Sequence, residues 1–128
     1  MARYARPLRS LARAAVGSTF VILGWDAYLE AGPRAVKAAA LGVPKPELAV
    51  TLNGGAMVVA GVALSCGVAP RFMSGVLAGL LVPTTLAGHA YWNESDPKVR
   101  NQQRTQFLKN LCMLCGLLEV ALGDQETG

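Results

Sequence analysis

The chain has 128 residues, a net charge of +4, 52% hydrophobic and only 16% charged residues, and a mean hydropathy of +0.36. That length admits one domain, taken as residues 1–128, and the apolar bias with 14 glycines favours close helix packing in lipid over an ordinary soluble core. The positive charge gathers largely at Arg3, Arg6, Arg9 and Arg13, a basic N-terminal cluster rather than a basic face, which favours an anionic membrane surface or cytoplasmic anchoring over nucleic acid.

Four apolar segments are expected in chain order, at residues 11–29, 48–68, 72–91 and 106–122. A helix needs about 20 residues to cross the hydrocarbon and about 17 at the least, so the fourth is marginal alone. Ser95-Asp96-Pro97 extends it, because Ser or Asp can cap a helix whose first turn carries Pro97. The basic start also has the outline of a signal peptide. No convincing small-residue cleavage site follows it and three more apolar segments do, so a retained first helix is expected.

Between the first two segments, Pro33, Pro44 and Pro46 surround an Ala-rich stretch that predicts a short surface helix over residues 34–41. Residues 69–71 make a turn short enough to require an antiparallel pair. The fold class is therefore all-α, a four-helix transmembrane bundle with a short interfacial helix between the first two crossings. With four crossings, Arg71 and the N-terminal cluster share one side, while Arg34, Lys37, Lys45, Lys98, Arg100 and Arg104 lie on the other. The dense cluster ahead of the first helix places both termini in the cytoplasm of a plasma membrane.

Ionisable residues inside such segments normally face the bundle interior, since exposure to lipid costs at least about 2.5 kcal/mol. Steps of three and four group Thr19, Asp26 and Glu30 on the first helix, and Asn53, Ala56, Ala60, Ala63 and Gly67 on the second. The third groups Gly75, Gly79 and His89; the fourth groups Lys109, Cys112, Gly116 and Glu119. Asp26, Asn53, His89, Lys109 and Asn110 would then meet near one end, as a bundle clasp or a ligand site, with Asp26 and Lys109 as a neutralising pair. Against this, Lys109 can snorkel to the interface, Asp26 and Glu119 can simply mark helix ends, and His89 can satisfy a backbone group freed by Pro83.

Cys66, Cys112 and Cys115 all lie in apolar stretches, and an odd count argues against a disulfide framework. Cys112-x-x-Cys115 is a candidate redox pair, because a helix N-terminus and Lys109 would favour a thiolate. In outline this is similar to vitamin K epoxide reductases, whose paired loop cysteines are missing here. Buried cysteine is also an ordinary apolar filler. No metal site is expected, and a quinone is the one cofactor candidate.

The run Leu81-Val82-Pro83-Thr84-Thr85-Leu86-Ala87-Gly88-His89, then Tyr91-Trp92, Gln103-Arg104 and Phe107-Leu108-Lys109-Asn110-Leu111, resembles the DoxX family of small bacterial membrane proteins, its actinobacterial branch above all. Phe20, Gly24, Asp26, Asn53-Gly54 and Pro70-Arg71 fit the same pattern. The likeness extends over essentially the whole chain, most specifically residues 81–118. It implies a four-helix membrane protein that acts as an accessory or anchoring subunit of a redox or transport complex. Some relatives are subunits of thiosulfate:quinone oxidoreductases, and an actinobacterial relative is linked to a complex with superoxide dismutase and a sulfurtransferase. The expected partners are the lipid bilayer and a larger membrane protein or complex, with a second copy of the chain as a further candidate and no nucleic acid. The alternative is a thiol- or thiosulfate-quinone oxidoreductase that uses the polar cluster or the Cys112/Cys115 pair.

Overall fold

Proline begins three of the five α-helices. In the computed structural model, which describes residues 2–123, the order is α1 (Ala2–Leu29), α2 (Ala31–Ala40), α3 (Pro46–Ser65), α4 (Pro70–Gly88), a single 3-10 turn (Tyr91–Asn93) and α5 (Pro97–Leu122). Proline suits a first helical position because the N–H it lacks would be unpaired there. Lys45 and Ala69 precede two of these prolines in the left-handed region, at φ 47° and 42°, turning the chain sharply into α3 and α4. Ahead of the third, the Asp96 side chain accepts from Lys98 N at 3.0 Å, so Asp96 rather than Ser95 is the cap.

The helix boundaries differ from expectation at two places. α1 starts at Ala2 instead of residue 11: Ala, Arg and Leu, all good helix formers, make up most of the arginine-rich stretch, and the helix runs on through Pro7 near its start. The short helix is α2, at Ala31–Ala40, one residue after α1 ends. Its two cations hold neighbouring helix ends. Arg34 Nη1 donates to Glu30 O at 3.1 Å and Asp26 O at 3.4 Å, and Lys37 Nζ donates to Gly88 O at 3.4 Å. Cations there meet the negative ends of α1 and α4.

Three helices are long and apolar enough to cross a membrane: α3, the α4 stretch through Asn93, and α5. α1 has the length but not the composition. Arg13 and Asp26 bracket its apolar run, which at 1.5 Å per residue spans about 18 Å between them.

The four long helices pack in their chain order, with short α2 lying mainly against α3 and α4. α1 packs antiparallel on α3, α3 on α4 and α4 on α5, while α1 and α5 share no substantial contact. Phe20, Met57, Ala60, Leu64, Leu77, Ala78, Leu81 and Leu117 form the core. The glycine stripe expected on α4 is not the buried one: Ser74, Leu77, Ala78, Leu81 and Thr85 face inward, and Gly75 and Gly79 are exposed. Backbones touch instead between α1 and α3. A Cβ on Gly61 would lie 2.6 Å from Gly17 O, and one on Gly54 would lie 2.7 Å from Gly24 O. Each glycine pair is seven residues apart, two turns along one face, so the two helices meet main chain to main chain over that length.

Candidate functional site

The polar residues of the membrane-length helices gather around one irregularity, Pro83 in α4. Proline leaves the carbonyl four residues earlier without its usual donor and crowds it with the ring. That residue is Gly79, beside which a Cβ would meet nothing within 4 Å. Immediately after the proline come Thr84 and Thr85, which leave the helix about 100° apart and therefore face different neighbours.

Thr84 faces α3. Its hydroxyl lies 2.9 Å from Leu80 O and 3.2 Å from Asn53 Oδ1, one proton shared between two acceptors. Asn53 Nδ2 returns a bond to Leu80 O at 3.4 Å. Thr85 faces α5, where its hydroxyl accepts from Asn110 Nδ2 at 3.0 Å, and both of these residues are buried. The two threonines thus join three helices. An unmet amide in the hydrocarbon would be costly, so these bonds hold register as well as adding attraction.

His89 stands one turn further on, as the C-cap of α4. Its Nδ1 is 2.7 Å from Gln103 Oε1 on α5, a hydrogen bond that the tautomer protonated at Nδ1 donates. Tyr91, Trp92 and Phe107 form a mutually edge-on triad with centroids 5.3 to 5.7 Å apart. An aromatic group at this end of the helices suits the membrane–water boundary.

The five residues expected to converge are therefore distributed differently. Asn53 and Asn110 sit on opposite sides of the Thr84-Thr85 step, and His89 belongs to a separate contact with Gln103. His89 does not reach the backbone freed by Pro83. Asp26 and Lys109 are both exposed, on helices that do not pack together, so the expected ion pair does not form. Lys109 and Asn110 are chain neighbours that point to different sides of α5, and only Asn110 turns inward. Cys112 and Cys115 are exposed free thiols on α5, and Cys66 is exposed beyond the end of α3. Among the described residues, no three His, Cys, Asp or Glu side chains converge on a common point.

Sequence reasoning named Thr84 and Thr85 only within a resemblance, and missed Gln103 and Ser74 as partners or core groups. Two adjacent threonines directly after an intrahelical proline were the available signal. Ser74 had none: its hydroxyl is fully buried without a hydrogen-bond partner.

The DoxX family model matches residues 8–90. That range takes in α1 from residue 8 through α4 and stops before α5, although the resemblance was expected to be most specific over residues 81–118. No curated protein and no solved structure matches the sequence.

Proposed function

The chain belongs to the DoxX family, and we propose that it is an accessory or anchoring subunit of a redox or transport complex in a bacterial plasma membrane, not an enzyme by itself. One observation carries this reading: α5 has membrane-spanning length, yet only 6% of its apolar window is buried, against 28% for α3 and for α4. Lys109, Cys112, Gly116 and Glu119 recur along its outward side and are all exposed. Two ionisable groups on a span call for a covering surface, and Gly116, with no atom near its Cβ position, lets another helix approach. Of the polar side chains that face inward, Asn53, Thr84, Thr85 and Asn110 are engaged in hydrogen bonds that join helices, and Ser74 alone among them has no partner.

In this reading α1 is a fourth crossing, carried beside α3 by its glycine contacts. The arginine-rich end and the C-terminus of α5 both lie in the cytoplasm. Labelling of Cys66 with a membrane-impermeant maleimide tests the orientation. Protection in intact cells, with labelling after permeabilisation, is expected; labelling in intact cells would reverse the topology.

Purification in mild detergent should yield a stoichiometric larger subunit, and Gly116→Trp should release it without lowering the melting temperature of the isolated chain. A chain that purifies alone from native membranes would overturn the accessory role. Recovery of only a second copy would make that copy the partner.

A second reading, a thiol- or thiosulfate-quinone oxidoreductase, draws on the exposure of both Cys112 and Cys115 one helical turn apart. It requires a quinone as cofactor. Cys112→Ser with Cys115→Ser should leave quinone-linked activity of the assembled complex unchanged under the first reading. Its loss would establish the second.

A further inference from the structure

α1 is longer than the helix it packs against. Its 28 residues extend about 42 Å at 1.5 Å per residue, against about 30 Å for the 20 residues of α3. Gly17 lies against Ser65 and Gly61, and the Arg13 guanidinium is near Gly67, just past the end of α3. The first dozen residues of α1 therefore project beyond it. Tyr4, Leu8 and Leu11 are exposed there. At about 100° per residue, Arg3, Arg6, Arg9 and Arg13 occupy an arc of about 120°, and those three apolar side chains lie on the other side. The chain contains no Asp or Glu before Asp26, so this end carries a one-sign field.

Arg13 adds an independent observation. Its Nε is buried without a hydrogen-bond partner, and Nη2 makes one long contact, 3.4 Å to Ser10 Oγ. A buried guanidinium N–H left unpaired is unfavourable, and the planar fork of arginine matches two oxygens of a phosphate better than a point charge does.

We propose that the projecting N-terminal segment of α1 binds the phosphate of an anionic phospholipid headgroup, with Arg13 as the anchoring contact and Arg6 and Arg3, about 10 and 15 Å further along the same arc, adding to the field that attracts it. The inference rests on the membrane reading above but not on the accessory role. Exposed Tyr4, Leu8 and Leu11 opposite the arginine arc suit the boundary between headgroups and acyl chains, and the end of α3 puts Arg13 near that depth.

The experiment uses the full chain, reconstituted into phosphatidylcholine vesicles with or without phosphatidylglycerol, and native mass spectrometry to count the lipids retained. Preferential retention of phosphatidylglycerol is expected. Arg13→Gln should reduce that preference about fivefold, the equivalent of about 1 kcal/mol for one arginine near the surface, with Arg13→Lys in between. Arg6→Gln, outside the packed part of α1, should give a similar loss and covers the case in which Arg13→Gln does not fold. Lys98→Gln, at the opposite end, should change nothing. Equal retention of both lipids, or a full preference in Arg13→Gln and Arg6→Gln, would overturn the proposal. So would inorganic phosphate displacing phosphatidylglycerol, which would assign the arginines to a soluble anion. Failure of the chain to float with vesicles would instead refute the membrane reading itself.

Discussion

The α1–α3 pair and the α4–α5 pair solve the same packing problem by different means. In the first, glycines at 17, 24, 54 and 61 remove the side chains from the contact, and main chain meets main chain. In the second, side chains span the gap: Asn110 reaches Thr85, Gln103 reaches His89, and Arg71 Nε reaches Ala121 O at 3.3 Å. Close backbone approach gives many small dispersion contacts that tolerate no insertion. Polar bridges give a few directional contacts and leave the rest of α5 uncovered. The difference explains why a closely packed half and an uncovered half coexist in so short a chain.

The sharpest way to break the comparison is to add bulk to the glycine seam. Gly61→Leu would drive carbon atoms into Gly17 O and the Val21 backbone, neither of which can rotate away. We expect a loss of at least about 3 kcal/mol, read as a collapse of the thermal melt in detergent. Asn110→Ala should cost less, about 1 kcal/mol, because it removes one interhelical bond and leaves the Thr85 hydroxyl unmet. A double-mutant cycle with Thr85→Val should recover most of that loss as coupling; additive effects would mean that the bond contributes nothing.

Ser74→Ala runs in the opposite direction. Deleting a buried hydroxyl that has no partner should stabilise the chain by up to about 1 kcal/mol, and a lower melting temperature would reveal an interaction that the geometry lacks. Smallest is Gly79→Ala on the exposed face of α4. With no atom near the added methyl, only the helical preference of alanine should register, a gain of about 0.5–1 kcal/mol. A destabilisation comparable to that at Gly61 would erase the distinction between buried and exposed glycines.

Much of the helical layout was legible because its determinants are local. Pro97 with Asp96 marks a helix start from its own chemistry, and apolar runs of bilayer length need no neighbour to be recognised. The two glycine pairs are legible in principle through their seven-residue spacing, yet Gly75 and Gly79 present the better-known four-residue pattern on a face that the structure leaves exposed. Both patterns permit close approach; the pattern alone does not name the pair of helices that makes it. The polar cluster misled for a related reason. Position along a helix sets the depth of Asp26, Asn53, His89, Lys109 and Asn110. Whether they touch depends on the direction each one faces.

For this protein, then, the sequence alone determined the membrane character, the helical class, the start of α5 at Pro97 and the one-signed charge of the N-terminal stretch. These depend on composition and on neighbours within a turn or two. The tertiary structure alone decided that Asn110 faces inward while Lys109 faces outward, that Thr84 serves α3 while Thr85 serves α5, and that α1 leaves α5 uncovered. Each of these is a matter of how a helix is rotated about its own axis. That rotation is set by several helices burying Phe20, Leu77 and Leu117 at once, which no single segment can encode.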